Sequence, residues 1–140
     1  MVRRFGRKRA GEIAEMGFQF RASLRGLRVA KPFGDSFPYD FITDNGWNRW
    51  LVQVKSTFFR RACGSYAIKC QKGTGLKSRR YRSREVDFLA FYIFPVDAWY
   101  IMPLKALGKS RSVVFYPDGD GTKGKYEQYR EAWHLLTERG

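Results

Sequence analysis

The chain has 140 residues, of which 44% are hydrophobic and 17% aromatic, so it can bury one core but is short for two domains. Its 27 lysines and arginines against 13 aspartates and glutamates give a net charge of +14, which favours a polyanionic partner. The longest apolar run, FLAFYIFPV at 88–96, is far shorter than the ~20 residues of a membrane span. No signal-peptide pattern follows the basic N-terminus. We therefore expect a cytoplasmic protein with no membrane partner.

The cysteine and histidine content excludes a closed zinc site. Cys63 and Cys70 are the only cysteines, their spacing matches no common zinc motif, and His134 is the only histidine. We expect both thiols to be reduced and structural.

The first predicted element is a helix over about residues 9–24. Its apolar residues at helical spacing are Ile13, Met16, Gly17, Phe20 and Leu24. This stripe predicts one buried face, and Phe18 and Ala22 indicate that a second side is covered as well. Gly26 is a plausible stop.

Three short strands are predicted next. They are LRVAKP (27–32), YDFIT (39–43) and RWLVQVKST (49–57). The sequence DNG at 44–46 is typical of a hairpin turn, because Asn-Gly tolerates the positive φ angles of such turns. The period of two in a strand then places Leu51, Gln53 and Lys55 on one face of the third strand.

A basic segment follows, over about residues 59–84, in addition to a basic N-terminal arm at 1–9. No acidic residue occurs from Asn45 to Arg84, whereas solvated surfaces usually mix their charges. The glycines and tyrosines of this segment predict a flexible, loop-rich region that orders on DNA, with arginines available for guanine edges. The candidate DNA-binding residues are Arg60, Arg61, Lys69, Lys72, Lys77, Arg79, Arg80, Arg82 and Arg84.

The remaining elements suggest a layered α/β or α+β domain. VDFLAFYIF (86–94) and AWYIMP (98–103) are typical of buried strands, SVVFYP (112–117) indicates another, and KYEQYREAWHLL (125–136) predicts an amphipathic closing helix. The order of elements predicts one domain, residues 1–140, with a central mixed β-sheet flanked by helices.

The polar residues of the predicted hairpin suggest chemistry. Asp40 begins one strand, and Gln53 and Lys55 lie two residues apart on the next, so the three side chains are expected at one end of two paired strands. A carboxylate, an amide oxygen and a backbone carbonyl suit Mg²⁺, and a lysine beside them can act on a bound water. Taken alone, Asp40 is more typical of a carboxylate that caps a loop, and Lys55 is also typical of a strand edge. Together with Gln53 and the residues around them, they favour the catalytic interpretation.

This pattern resembles that of the PD-(D/E)XK nucleases, which carry an Asp at a strand start and Glu-x-Lys on the next strand. The segments GEIAE, GDSFPYDFITDNGWNRWLVQVKST and VDFLAFYIFPVDAWYIMP look like the branch of group I intron-associated homing endonucleases, and more distantly like archaeal Holliday-junction resolvases. The resemblance spans roughly residues 9–103 and implies a restriction-endonuclease-like core.

The resemblance also implies a site. A glutamate four residues after a glycine on the first helix completes it, which selects Glu15, although the predicted apolar stripe leaves its rival Glu12 nearer the packed side. Catalytic residues would be Glu15, Asp40, Gln53 and Lys55, and metal ligands would be Asp40, Gln53, the Val54 carbonyl and Glu15. Gln53 replaces the usual glutamate, which predicts weak Mg²⁺ (or Mn²⁺) binding assisted by DNA, with Glu15 or Asp35 compensating.

The function implied is a Mg²⁺-dependent DNA endonuclease that makes site-specific, homing-type double-strand breaks. Cutting both strands is simplest with a homodimer or a higher even oligomer. Two alternatives stay open: a nuclease of the Holliday-junction-resolvase type that acts on branched DNA, and a non-catalytic DNA-binding protein on a nuclease scaffold.

Overall fold

Two α-helices and nine strands form the regular structure of the computed structural model, which describes residues 3–119 and 124–140. The first two residues of the basic N-terminal arm lie outside the described range. In chain order the elements are α1 (Arg7–Leu24), β1 (Arg28–Ala30), β2 (Phe41–Asp44), β3 (Arg49–Thr57), β4 (Tyr66–Lys69), β5 (Gln71–Lys72), β6 (Arg79–Arg80), β7 (Phe88–Ile93), β8 (Ala98–Pro103), β9 (Ser112–Phe115) and α2 (His134–Thr137).

A five-stranded mixed sheet, in the order β1-β2-β3-β7-β8, forms the centre of the fold. Strands β1, β2 and β3 are antiparallel neighbours, β3 and β7 are parallel, and β7 and β8 are antiparallel. The predicted hairpin is present, since Asp44 pairs with Arg49 and Gly46 adopts a φ of 94° in the turn. The central mixed sheet of the prediction is therefore confirmed.

Helix α1 packs on the sheet through a different face from the predicted one. The buried residues of α1 are Ala10, Ala14, Phe18 and Ala22, whereas Met16, Phe20 and Leu24 are exposed. Three alanines let the helix approach the sheet closely, and the Phe18 ring stacks on the Phe41 ring at a centroid distance of 5.3 Å. The prediction of a buried face was wrong for Met16, Phe20 and Leu24, although Ile13 packs against the edge of the core. The side of the helix that carries Phe18 and Ala22, predicted to be covered as well, is the one that packs on the sheet.

The opposite face of the central sheet is covered by strands and not by a helix. Strands β4 and β9 pair antiparallel in a separate small sheet, which confirms a strand at the predicted 112–117 position. Tyr66 and Ile68 of β4 and Phe115 of β9 pack with Leu89 and Tyr100 of the central sheet in a second hydrophobic cluster. The domain thus has α1 and the C-terminal segment on one face and the β4–β9 sheet on the other.

The predicted closing helix over 125–136 is wrong. This segment forms a short 3₁₀ turn at Glu127–Tyr129 and the one-turn helix α2. Glu131 has a φ of 49°, and its carboxylate accepts hydrogen bonds from the Trp99 backbone N–H and the Trp133 indole N–H. These contacts with β8 outweigh the helical periodicity, because a helix would leave the Trp99 N–H at the sheet edge without this acceptor.

The basic segment holds three short strands among turns and loops. It contains β4, and β5 and β6 pair as a two-stranded antiparallel ribbon closed by a turn around Gly75–Lys77. Turns and loops form the rest of the segment, and the expectation that it orders on DNA stays a prediction. In the described residues, no helix combines the length and the apolar character that crossing a bilayer requires.

Candidate active site and nucleic-acid interface

Asp40 lies immediately before β2, at the point where β3 extends beyond its pairing with β2. The Asp40 N–H donates to the Val52 carbonyl at 2.8 Å, and the Asp40 Oδ2 accepts a hydrogen bond from the Val54 N–H at 2.7 Å. Pairing between β2 and β3 starts at Phe41 opposite Val52, so the Asp40 carboxylate binds the first N–H of β3 beyond the end of that ladder. Sheet geometry thus places this carboxylate against the backbone of Val54, the residue between Gln53 and Lys55.

The environment of Asp40 makes its carboxylate harder to ionise. The pKa of Asp40 is raised from 3.8 to about 6, mainly by burial, and the negative charge of Glu15 acts in the same direction. The Val54 N–H and the ammonium groups of Lys55 and Lys31 lower the pKa, but by less than burial raises it. The charges of Glu15 on α1, Lys55 on β3 and Lys31 in the loop after β1 therefore all act on the Asp40 carboxylate.

Gln53 and Lys55 lie on the face of β3 opposite to the buried Val52 and Val54. The Gln53 amide donates to the Val54 carbonyl at 3.3 Å, so its own carbonyl oxygen is not used by this contact. The Lys55 ammonium lies 5.4 Å from the centroid of the Tyr81 ring, within the range of a cation–π interaction.

The two candidate glutamates of α1 differ in their surroundings. The Glu15 carboxylate accepts a hydrogen bond from the Lys31 ammonium at 2.5 Å, and its side chain is 27% exposed. The Glu12 carboxylate pairs with Arg9 at 3.2 Å, and its side chain is 49% exposed. The expectation that Glu12 lies nearer the packed side was wrong, because α1 is buried through Ala14 and Phe18 and not through the predicted stripe.

Two residues of this region were not found from the sequence. Lys31 follows β1 and binds Glu15, and Tyr81 follows β6 and lies against Lys55. Neither residue belongs to a motif or to a periodic pattern. Their proximity to the site depends on how the loop after β1 and the β5–β6 ribbon fold back on the sheet, which the spacing of residues does not encode.

The donor set around Asp40 fits a hard divalent cation with an incomplete protein shell. No group of three or more His, Cys, Asp or Glu side chains suited to a metal ion occurs among residues 3–119 and 124–140. The available oxygens are the second oxygen of Asp40, the Glu15 carboxylate, the Gln53 amide oxygen and the Val54 carbonyl, which are ligands that Mg²⁺ accepts while keeping several waters. Asp35 is exposed in the loop before β2.

Some basic residues of the segment pair with Glu85, whereas others face solvent. Its carboxylate accepts two hydrogen bonds from the Arg79 guanidinium, at 2.7 and 2.8 Å, and one from the Lys72 ammonium at 3.4 Å. The hydrogen bonds from the Arg79 guanidinium lower the pKa of Glu85, burial raises it, and the Arg82 N–H lowers it. The net effect is a pKa far below the usual range of a glutamate. Lys72 and Arg79 therefore hold the ribbon to the domain.

The other basic residues of the ribbon face solvent. Arg80 lies on the opposite side of β6 from Arg79 and is exposed. Lys77, Arg82 and Arg84 are exposed as well, and so is Leu76 at the tip of the ribbon. These side chains are available to a partner without breaking the Glu85 contacts.

A cleft of about 780 Å³ runs beside the candidate site. It extends from Lys55 between the start of α1 and β4, and Arg4, Arg7 and Lys69 line it together with Phe58. Cations from three different parts of the chain thus surround one groove that begins at Lys55. Arg60, by contrast, lies 3.8 Å from the Asp118 carboxylate, and Arg61 is exposed.

Comparison with known proteins identifies relatives of this fold. The family model described as PD-(D/E)XK endonuclease matches residues 5–136. The structure of the bacterial homing endonuclease I-Ssp6803I is similar with a TM-score of 0.84 and 28% sequence identity, over 95% of this chain and 94% of that chain. Archaeoglobus fulgidus Hjc, a Holliday junction resolvase from an archaeal hyperthermophile, gives a TM-score of 0.49 and 14% identity over 78% of this chain and 85% of that chain. A comparison with curated protein sequences gave no significant match.

Proposed function

Because the chain belongs to the PD-(D/E)XK endonuclease family, we propose that it hydrolyses DNA phosphodiester bonds at the site around Asp40. The observation that carries the proposal is the hydrogen bond from the Val54 N–H to Asp40. It fixes a carboxylate between Gln53 and Lys55, while Glu15 and Lys55 are close enough for their charges to act on the same carboxylate.

The oxygens of Asp40, Gln53, Val54 and Glu15 would hold Mg²⁺, or Mn²⁺ in its place. The ion, when bound, supplies charge neutralisation for the phosphate and a more acidic water. Asp40 is the fixed point of this site, because its backbone and its side chain are both hydrogen-bonded to β3. Gln53 contributes a neutral oxygen, which predicts weak metal binding in the absence of DNA.

Lys55 is proposed to orient the attacking water and to stabilise charge on the scissile phosphate. Its ammonium lies at the mouth of the basic cleft and over the Tyr81 ring. The aromatic ring restricts the flexible side chain without removing its positive charge, so the ammonium is available at a defined place.

The partner proposed for the basic surface is duplex DNA. Arg4, Arg7 and Lys69 of the cleft would bind the backbone of the strand that is cut. The β5–β6 ribbon, with Lys77 and Arg80 exposed, is a two-stranded antiparallel element, which is a kind of element that the major groove admits. We assign base or phosphate contacts to Lys77, Arg80, Arg82 and Arg84, with weaker roles for Arg60 and Arg61, and structural roles to Lys72 and Arg79.

Homing-type, site-specific cleavage is proposed from the similarity to I-Ssp6803I over almost the whole length of both chains. One chain carries one proposed site, so we propose a homodimer or a higher even oligomer as the simplest way to cut both strands together. Sedimentation equilibrium at working concentrations tests this part, and a monomer that remains monomeric on duplex DNA would contradict it.

The decisive experiment is nicking of supercoiled plasmid with Mg²⁺ by the wild type and by four variants. Asp40→Ala, Lys55→Ala and Glu15→Gln are expected to lower the rate by about 100-fold or more, as expected for groups that position or activate the reacting atoms. Glu12→Gln, which removes a carboxylate from the same helix, is expected to retain the wild-type rate. A Glu12→Gln variant as inactive as Glu15→Gln would refute the assignment of Glu15.

A non-catalytic DNA-binding protein is the second candidate, and Gln53 is the observation that favours it. In that case the wild type would not nick any DNA, its binding would weaken steeply with salt, and Lys55→Ala would leave that binding unchanged. Including a four-way junction in the same assay separates duplex cleavage from the resolution of branched DNA.

A further inference from the structure

Lys31 is a positively charged residue within the candidate metal site. Its ammonium donates to Glu15 at 2.5 Å and lies 5.2 Å from the centroid of the Phe41 ring, next to Asp40 in sequence. Its charge also acts on Asp40. Lys31 therefore neutralises the glutamate that the proposed metal site requires, at the place where a divalent cation would provide the same neutralisation.

The formal charges of the site explain why this contact matters. Glu15 and Asp40 carry two negative charges when ionised, Lys31 and Lys55 carry two positive charges, and Gln53 carries none. A site without net negative charge attracts Mg²⁺ weakly, because the ion must shed waters for ligands that already have a cationic partner. A DNA phosphate brings negative charge into the site and offers an ammonium group an alternative partner.

The Lys31 side chain can change partners. It is 59% exposed, it is attached to a loop after β1 and not to a packed strand, and its contact with Glu15 is a single-point contact. An ammonium on a four-carbon stem keeps many rotamers, so leaving Glu15 requires no movement of the backbone. Release of Lys31 would expose the Glu15 carboxylate towards Asp40.

We infer that Lys31 is a positioning residue that couples metal binding to DNA binding. Without DNA it holds Glu15 in place and competes with the divalent cation. When DNA is bound, Lys31 transfers to a backbone phosphate and leaves Glu15 to the metal. The inference rests on the proposed function, and it adds a means of keeping the site free of metal until DNA is present.

Calorimetric titration of the DNA-free protein with Mg²⁺ tests whether Lys31 competes with the divalent cation. Lys31→Met is expected to bind Mg²⁺ about tenfold more tightly than the wild type, because one competing charge is removed from a partly exposed pair. Lys31→Arg keeps the charge and is expected to behave as the wild type. Lys8→Met removes one exposed charge from α1 outside this cluster and controls for net charge.

A double variant connects the effect to Glu15. Adding Glu15→Gln to Lys31→Met is expected to abolish the gain in Mg²⁺ affinity, since the released carboxylate is then absent. Lys31→Gln serves as a second neutral variant, and far-ultraviolet circular dichroism with a thermal scan establishes that each variant is folded. Equal or weaker Mg²⁺ binding by folded Lys31→Met and Lys31→Gln would overturn the inference, as would tightening by Lys8→Met to the same degree.

The second half is tested by measuring DNA affinity with and without Ca²⁺, an oxygen-seeking divalent cation used here as the binding probe. Coupling between two ligands is reciprocal, so the wild type is expected to show a larger Ca²⁺-dependent gain in DNA affinity than Lys31→Met. An identical gain in both proteins would overturn the coupling. Failure of the proposed function has a different signature, namely a wild type that never nicks DNA; a nicking wild type with unchanged metal affinity in Lys31→Met sinks only the role of Lys31.

Discussion

Replacing Asp40 by Asn is expected to stabilise the metal-free protein at neutral and alkaline pH. Burial raises the pKa of this carboxyl from 3.8 to about 6 in the folded chain, so between those values the folded state binds a proton that the unfolded state has released. The contribution of Asp40 to stability is therefore present at low pH and is lost as pH rises through about 6. The ionised form is disfavoured in the fold above that pH, although it is the form that the proposed metal site requires.

The magnitude follows from the shift in pKa. About 2 units at roughly 1.4 kcal/mol per unit give an unfavourable contribution of about 3 kcal/mol at pH 8. Asp40→Asn avoids this contribution, and its amide oxygen can still accept the hydrogen bond from the Val54 N–H. For a chain of this size the gain corresponds to a rise in melting temperature of roughly 10 °C at pH 8, which shrinks towards zero near pH 4.

Thermal unfolding followed by circular dichroism in EDTA, at intervals from pH 4 to pH 8, measures this difference. The exposed Asp35, replaced by Asn, is the matched control and is expected to follow the wild-type profile. Parallel profiles for the wild type and Asp40→Asn, or a less stable Asp40→Asn at pH 8, would refute the argument from burial. Addition of Mg²⁺ at pH 8 is expected to stabilise the wild type more than Asp40→Asn, because the ion binds the ionised carboxylate.

Three further predictions concern neighbouring residues. Gln53→Glu adds a negative ligand and is expected to tighten Mg²⁺ binding without DNA by about tenfold or more, measured by calorimetry; unchanged affinity would place residue 53 outside the metal site. Tyr81→Leu is expected to lower the cleavage rate about three- to tenfold at unchanged DNA affinity, whereas Tyr81→Phe retains the ring over Lys55 and the rate. Glu85→Gln is expected to lower the melting temperature most at neutral pH and by progressively less as the pH falls below 4.5, the ordinary pKa of the group. The reason is that contact with the Arg79 guanidinium depresses the pKa of folded Glu85, so its contribution to stability fades as the carboxyl is protonated. A loss that does not change with pH would contradict this.

A motif identified Glu15 as a candidate, but the hydrophobic pattern of α1 did not identify the buried face of the helix. The spacing of Gly11 and Glu15 identified a candidate by resemblance, but the apolar stripe through Met16 and Phe20 indicated the wrong buried side. Large exposed apolar residues outweigh alanines in any count of hydrophobicity. Close packing against the sheet selects small residues, and whether a helix packs closely is a property of the assembled layers.

The C-terminal segment shows the same limit for secondary structure. Its residues recur at helical spacing, yet Glu131 supplies an acceptor for the Trp99 N–H and the chain bends there. Local periodicity reports what a segment favours in isolation. The free energy of satisfying a buried backbone group elsewhere in the fold is larger, and it decides the conformation.

The sequence by itself determined the elements whose signals are local. A Gly at positive φ fixed the hairpin, period-two alternation placed Gln53 and Lys55 on one face, and the continuous apolar run at 88–94 produced a buried central strand. These features depend on residues close together along the chain.

Only the tertiary structure decided which groups meet around Asp40. The contact of Lys31 with Glu15 and that of Lys55 with Tyr81 join residues 16 and 26 positions apart, and Glu85 pairs with both Lys72 and Arg79. Such pairings follow from the packing of α1 and the ribbon against the sheet. Charge counted along the chain gives the sign of a surface, whereas the balance of charges at one point depends on distances through space.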